Sequence, residues 1–300
     1  YEGVSQSRNL REINTQLDPV FRAKNDVYQF NIDIGIVDNI KLSSQSLYTT
    51  DNYYSTQDYY RFVSNDVWND SSGLFNSLRR PNAWQEGMTP GGVFDDPQLG
   101  ASSKLLGMDM VRAKSKQYYQ EIRLQSDLGG SVNFNIGANY TKFKIDEDYF
   151  VFNNLFTALS HTIFSTSGIG NNLVDCEVAV VNFQNCAYVD YNPIEKIDGD
   201  GHNYFRSRNV SKTESYGIYG EVYYNLTENL KLTAGLRYTH DKKTATPYKS
   251  QLLLAPGTLG GGLIGKGLVA DPDIIQRWGR MTGRLVVDWK PYVDFADDLL

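Results

Sequence analysis

Residues 214–239 alternate strictly between two chemistries. Tyr216, Ile218, Val222, Tyr224 and Leu226 share one parity, and Ser215, Tyr219, Glu221, Tyr223 and Asn225 share the other. After Thr227-Glu228-Asn229 the pattern resumes, with Leu230, Leu232, Ala234, Leu236 and Tyr238 opposed to Lys231, Thr233, Gly235, Arg237 and Thr239. A period of two puts successive side chains on opposite faces of a strand, so the two runs predict a hairpin. One face is hydrocarbon ended by tyrosine; the other carries charge, amide and glycine and must be wet. Oil on one face and water on the other is the pattern of a transmembrane barrel strand.

The same arrangement recurs around two other short turns. Before Asp38-Asn39, a strand from about residue 25 sets Tyr28, Phe30, Ile32 and Ile34 against Gln29, Asn31 and Asp33; after it, Ile40, Leu42, Ser44, Ser46 and Tyr48 oppose Lys41, Ser43 and Gln45. Around Gly129-Gly130, Tyr118, Ile122, Leu124 and Leu128 alternate with Tyr119, Glu121, Arg123, Gln125 and Asp127. Val132, Phe134, Ile136, Ala138 and Tyr140 then alternate with Asn133, Asn135, Asn139 and Thr141. A further strand over 282–290 opposes Leu285, Val287 and Trp289 to Arg284, Asp288 and Lys290.

Tyr28, Tyr48, Tyr118, Tyr140, Tyr216 and Tyr238 all fall on the apolar parity, each roughly ten residues from its short turn; such a strand, tilted, rises about 23 Å, close to the apolar band of an outer-membrane barrel. The six are expected to form one girdle at a membrane interface. The turns are two or three residues long, whereas the connections from about Asp51 to Ala113, Asp146 to Lys212 and Lys242 to Arg280 are long. Long structureless connections are uncommon inside a compact soluble domain, but they are the extracellular loops of a barrel whose periplasmic turns are short. The expected fold is therefore all-β: an antiparallel transmembrane β-barrel segment, a partial barrel of about seven or more strands.

Composition agrees with that class. No apolar run approaches the length of a membrane helix. The negative mean hydropathy follows from strands that are only half apolar, diluted by loops. A net charge of −6 and the lack of a basic run interleaved with aromatics argue against a nucleic-acid partner. Cys176 and Cys186, the only two cysteines, fall in the second long loop, where a disulfide closing a small ring is the simplest expectation.

The run Glu-Ser-Tyr-Gly-Ile-Tyr-Gly-Glu-Val-Tyr-Tyr-Asn-Leu-Thr-Glu-Asn-Leu-Lys-Leu-Thr-Ala-Gly-Leu-Arg-Tyr-Thr-His-Asp-Lys-Lys, residues 214–243, resembles the mid-barrel hairpin of TonB-dependent outer-membrane receptors, and residues 118–128 and 282–290 are similar to further strands of that barrel. The resemblance covers about half of the chain. It implies a Gram-negative outer-membrane location, a 22-stranded barrel closed by an N-terminal plug, and active uptake of a ferric siderophore, cobalamin or oligosaccharide. It also implies outer-membrane lipid around the barrel, and energy delivered by the TonB-ExbB-ExbD complex through the plug. A signal peptide, a TonB box and a plug are not recognisable in this sequence, and seven strands cannot close such a barrel. Residues 1–300 are accordingly expected to be one internal part of the barrel domain, with plug, signal peptide and remaining strands absent.

Motifs for other chemistry break at their defining positions. Residues 260–267 have the glycines and lysine of a phosphate-binding loop, but Gly267 stands where a magnesium-binding hydroxyl is needed. Asp198-Gly-Asp200-Gly-His202 begins like a calcium loop and continues with Asn203 and no closing glutamate. His161, His202 and His240 are too scattered to form a catalytic set, and Asp95-Asp96 and Asp297-Asp298 read as solvated turns. No enzyme, cofactor or metal site is expected.

The wet face would carry Asp33, Lys41, Glu121, Arg123, Asp127, Glu221, Lys231, Arg237, Arg284 and Asp288 into a lumen. Such groups hydrogen-bond a plug in a receptor and tune ion selectivity in a porin. Ligand capture falls to the aromatic-rich loops, with Tyr53, Tyr54, Tyr59, Tyr60, Trp68 and Trp84 as candidates and loop packing as their alternative use. A passive porin or adhesin barrel remains the alternative function. A soluble secreted carbohydrate-binding β-protein is a further one, and it would need a second sheet over the apolar faces.

Overall fold

The computed structural model describes residues 8–71, 89–158, 194–197, 205–248, 250 and 270–291. Its strands are β1 Val20–Val37, β2 Ile40–Asp58, β3 Phe94–Asp96, β4 Gly100–Ser102, β5 Gly107–Ser126, β6 Val132–Asn153, β7 Phe205–Thr227, β8 Leu230–Pro247 and β9 Ile274–Trp289. Seven of them form one antiparallel sheet in the order β1-β2-β5-β6-β7-β8-β9, while β3 and β4 pair as a small separate hairpin. Each long strand thus pairs with its neighbour in the barrel walk, as an up-and-down barrel wall requires.

The short turns are built from their own residues. Asn39 takes the left-handed conformation (φ 68°) that a two-residue hairpin needs and that asparagine tolerates better than most side chains. Between β5 and β6, the Asn133 carboxamide oxygen accepts the Leu128 backbone N–H at 2.6 Å. Between β7 and β8 the turn narrows to Glu228-Asn229, because Thr227 still pairs with Leu230 through a bulge after Asn225.

The alternation places the apolar parity on one face of the sheet, and no described element covers its central part. Ile218, Leu236 and Leu285 are 60%, 63% and 76% exposed. A soluble sandwich would lay a second sheet on these side chains. Among the described residues, packing resembling a soluble core occurs at the opposite end from the short turns. There Met110, Phe150, Phe152 and Ile197 are buried together, with Tyr54, Leu99, Met108 and Ile194 against them.

The strands run well beyond the expected loop boundaries. β2 continues to Asp58, β5 starts at Gly107, β6 reaches Asn153, β7 starts at Phe205 and β8 reaches Pro247. The alternation of oil and water stops at the tyrosines, but backbone pairing does not, so hydrophobic pattern alone cut each strand short. The pair Asp95-Asp96 also needs correction. Asp96 is buried: one carboxylate oxygen accepts the Gln98 and Leu99 backbone N–H groups at 2.9 Å each, and the other accepts the Thr157 hydroxyl at 2.6 Å. It closes a turn, as expected, but a desolvated one.

Asp58 does similar work at the end of β2. Its Oδ2 accepts the backbone N–H groups of Gln16 (2.8 Å) and Leu17 (3.3 Å), and Oδ1 those of Tyr60 (2.9 Å) and Arg61 (2.8 Å), the latter at φ 55°. Asp58→Ala removes the shared acceptor of four N–H groups from a buried position, and about 2–3 kcal/mol of local stability is expected to go with it. Amide hydrogen exchange at Tyr60 and Arg61 in the full-length protein measures this; unchanged protection would rule out the role.

Candidate functional site

The polar parity of β5–β9 forms a wall of interlocked side chains. Arg284 grips Glu221 with two nitrogens, Nε to Oε1 at 2.7 Å and Nη2 to Oε2 at 2.9 Å, and the Tyr223 hydroxyl donates to the same carboxylate at 2.7 Å. The Tyr219 hydroxyl donates to Glu121 at 2.6 Å across two strands. Arg237 donates to Asn139 (2.8 Å) and Thr239 (3.0 Å) while its guanidinium lies over the Tyr219 ring. Closer to the short turns, Lys41 pairs with Asp33 at 2.9 Å.

Glycines on this parity let large polar side chains lie flat. A Cβ at Gly137 would sit 2.5 Å from the Tyr219 ring carbon and hydroxyl, and one at Gly217 would sit 2.6 Å from the Arg237 guanidinium. At Gly235, Glu221 takes the space, with its Cγ 3.0 Å from the Cβ position. The alternation of small and large residues therefore produces a wall of low relief, notched by a cavity of about 320 Å³ lined by Glu121, Tyr219, Glu221, Arg237 and Arg284. The buried Arg123 Nε has no hydrogen-bond partner among the described residues.

Such a wall can hold a second polar body by many directed hydrogen bonds. No group of three or more His, Cys, Asp or Glu that could bind a metal occurs among the described residues.

The opposite parity orders the tyrosines. Tyr28, Tyr48 and Tyr118 are direct cross-strand partners, as are Tyr140 and Tyr216. Tyr118 and Tyr140 are diagonal neighbours with ring centroids 6.3 Å apart, and Tyr238 lies opposite Ile218. The row therefore steps two residues toward the short turns at β6 and two more at β8. Residues at one height in a tilted sheet must be staggered in this sense. On the turn side of that row, no outward position of the seven long strands carries an ionisable side chain other than Tyr224.

The loop aromatics divide between the faces. Tyr53 and Tyr54 lie on β2, not in a loop: Tyr53 meets Phe21 edge-on at 5.5 Å on the polar side, and Tyr54 joins the buried cluster on the other. Tyr59 and Tyr60 form an edge-to-face pair at 5.6 Å, and Tyr60 also covers Gly107 and accepts a hydrogen bond from Asn153. Trp68 packs on Phe94 at 5.2 Å. Trp84, Cys176, Cys186, His161, His202, residues 260–267 and Asp297-Asp298 lie outside the described residues.

Sequence reasoning missed the outward-facing cations beyond the tyrosines, including Arg112, Lys114, Lys116, Lys144, Arg206 and Arg208. They sit in segments it treated as loops, and continuing the period of two would have found them. Arg206 is nearly buried. It binds Asp148 through Nε (3.1 Å) and Nη2 (2.9 Å) and lies against the Phe150 ring. Arg208 forms a two-oxygen fork on Asp146, Nε to Oδ1 at 2.9 Å and Nη2 to Oδ2 at 2.7 Å, whereas both Arg206 nitrogens share Asp148 Oδ1.

No curated protein sequence matches this chain. Among solved structures, the ferric yersiniabactin uptake receptor FyuA from Yersinia pestis is similar, with a TM-score of 0.51 and 12% identity, over 94% of this chain and 27% of that receptor. The ferric-catecholate import receptor Fiu from E. coli K12 aligns in its open form with a TM-score of 0.44 and 12% identity, over 88% of this chain and 33% of Fiu. The chain thus spans about a quarter to a third of the length of these receptors. The family model for the TonB dependent receptor-like β-barrel matches residues 8–299, nearly the whole sequence, and the chain therefore belongs to that family.

Proposed function

We propose that this chain is part of the barrel wall of an outer-membrane transporter that takes up a scarce nutrient with energy from TonB, ExbB and ExbD. The observation that carries the reading is the division of the sheet into two chemistries. The outward face between tyrosine row and short turns lacks Asp, Glu, Lys, Arg and His, and the other face is a hydrogen-bonding wall. The six tyrosines act as the interface girdle at the outer rim of that band. The polar wall, with an Arg123 Nε that has no hydrogen-bond partner among the described residues, docks a plug supplied by another part of the protein, and further strands pair with the outer edges of β1 and β9.

The cargo class is a ferric siderophore, a cobalamin or an oligosaccharide, captured by the loops at the end where Tyr59, Tyr60 and Trp68 lie. The protein carries out transport and no covalent catalysis.

Uptake by the full-length gene, compared between a wild-type strain and one lacking TonB across labelled siderophore, cobalamin and glycan cargoes, tests this. One cargo should enter at a rate that falls at least about tenfold without TonB. Uptake that persists unchanged would instead identify a passive barrel, the reading in which the polar wall faces an open channel.

A further inference from the structure

The inward face differs between its two ends. Toward the short turns it is the interlocked wall of Glu121, Glu221, Arg237 and Arg284. Beyond the level of the tyrosine row, no inward position of β1, β2, β5, β6 or β7 carries Lys, Arg or His. Asp51, Asp109 and Glu147 do lie there, and none of them makes an ion pair with a described residue. Inward cations return at Lys243 on β8 and Arg280 on β9.

Four of the aromatic rings on this cation-free stretch form two pairs. Phe21 on β1 meets Tyr53 on β2 edge-on at 5.5 Å, and Tyr149 on β6 meets Phe205 on β7 edge-on at 6.3 Å. Phe21 is 69% exposed, so its ring is available from the lumen. Phe21, Ser55, Val111 and Tyr149 are successive cross-strand partners. The two pairs therefore stand three strand spacings apart, about 14 Å, with a floor of small uncharged side chains between them. Beside that floor Gln57 donates to Asp109 at 2.9 Å, and Asn209 donates to Glu147 at 3.4 Å.

Exposed rings separated by an uncharged floor and flanked by carboxylates and amides suit a ligand with flat C–H faces and many hydroxyls. A hydroxyl both donates and accepts, so it can satisfy a carboxylate oxygen and an amide N–H at once. A polyanionic ferric siderophore would meet Asp51, Asp109 and Glu147 with no cation beside them, and like-charge juxtaposition is costly. We propose that the inward face of β1–β7 beyond the tyrosine row captures an uncharged oligosaccharide of at least three units. Each unit of such a chain advances about one strand spacing, so three or more are needed to rest on both aromatic pairs. The inference rests on the transporter reading given under Proposed function and selects one of its three cargo classes.

The test uses full-length protein in zwitterionic phospholipid nanodiscs, free of glycoside detergent. Calorimetric titration compares malto-, cello-, xylo- and manno-oligosaccharides of two to six units with a ferric tris-catecholate. At least one saccharide series should bind, its four-unit member at least about tenfold more tightly than its two-unit member, because the longer chain reaches both pairs of rings. The ferric tris-catecholate should bind at least about tenfold more weakly than that four-unit member. Phe21→Ala removes an exposed ring without opening a core, and most of the gain with chain length should disappear in it.

Binding by none of the four series, tighter binding of the ferric tris-catecholate, or a length dependence that survives Phe21→Ala would each overturn the proposal. Uptake of the same probes with and without TonB separates this failure from that of the transporter reading. TonB-dependent entry of the ferric tris-catecholate would remove the saccharide surface and keep the energised transporter. Saccharide entry that ignores the loss of TonB would do the reverse.

Discussion

Val222→Arg is expected to lower the stability of the membrane-inserted barrel by about 2–4 kcal/mol, the cost of an arginine on the lipid face near the bilayer midplane. Val222 lies on the outward face of β7 between Tyr216 and the short turn, 48% exposed, opposite Phe134 on β6 and Ala234 on β8. Neither neighbour offers a counter-charge. The matching change on the other face, Gln45→Arg, puts a cation opposite Glu121 on β5 and is expected to shift stability by less than about 1 kcal/mol. Urea unfolding of the full-length protein in vesicles, followed by heat-modifiable gel mobility, measures both. Equal effects from the two arginines would mean that β2 and β7 do not separate lipid from water as described.

Gly137→Ala should destabilise the same barrel by about 1–3 kcal/mol, an overpacking cost with an identifiable cause. The new methyl group would fall 2.5 Å from the Tyr219 ring and 3.0 Å from the Ile122 carbonyl oxygen, so the ring must leave the wall. Leaving breaks the 2.6 Å bond from Tyr219 to Glu121 and uncovers the stack with Arg237. Tyr219→Ala alone loses those contacts but clears the space. In the double variant the alanine at position 137 should therefore cost less than it does against a native Tyr219. A double-mutant cycle on urea midpoints reads the difference as a coupling energy, and additive effects would show that Tyr219 does not rest on Gly137.

Much of this was legible in residues 25–48, 118–141 and 214–239 because the side-chain period of a strand is local geometry. Whether Ile218 shares a face with Val222 depends on parity alone. The face assignments of Tyr28, Glu121, Arg237 and Leu285 follow in that way, and the structure pairs every one of those strands as their order in sequence suggests. The strand ends were not legible in the same manner. Beyond Tyr118 toward the N-terminus of β5, Lys116, Lys114 and Arg112 occupy the outward positions, so the hydrophobic signal disappears although the ladder of backbone hydrogen bonds persists to Gly107. Charge marked the edge of the oil, not the end of the strand. The same loss of signal makes Tyr53 and Tyr54 look like loop residues, and two adjacent aspartates in a turn give no sign of the Thr157 hydroxyl that meets Asp96 in a buried position.

The sequence by itself determined the class of the protein, the two faces of its strands and its family resemblance, since each of these is carried by nearest neighbours or by a contiguous run. Only the tertiary structure decided which residues meet across strands. It set Lys116, Lys144 and Lys212 in one row, laid Tyr219 on Gly137 and joined Arg284 to Glu221. Cross-strand register depends on hydrogen bonding between segments far apart in the chain and on the stagger of a tilted sheet, and neither is encoded in the spacing of any one strand.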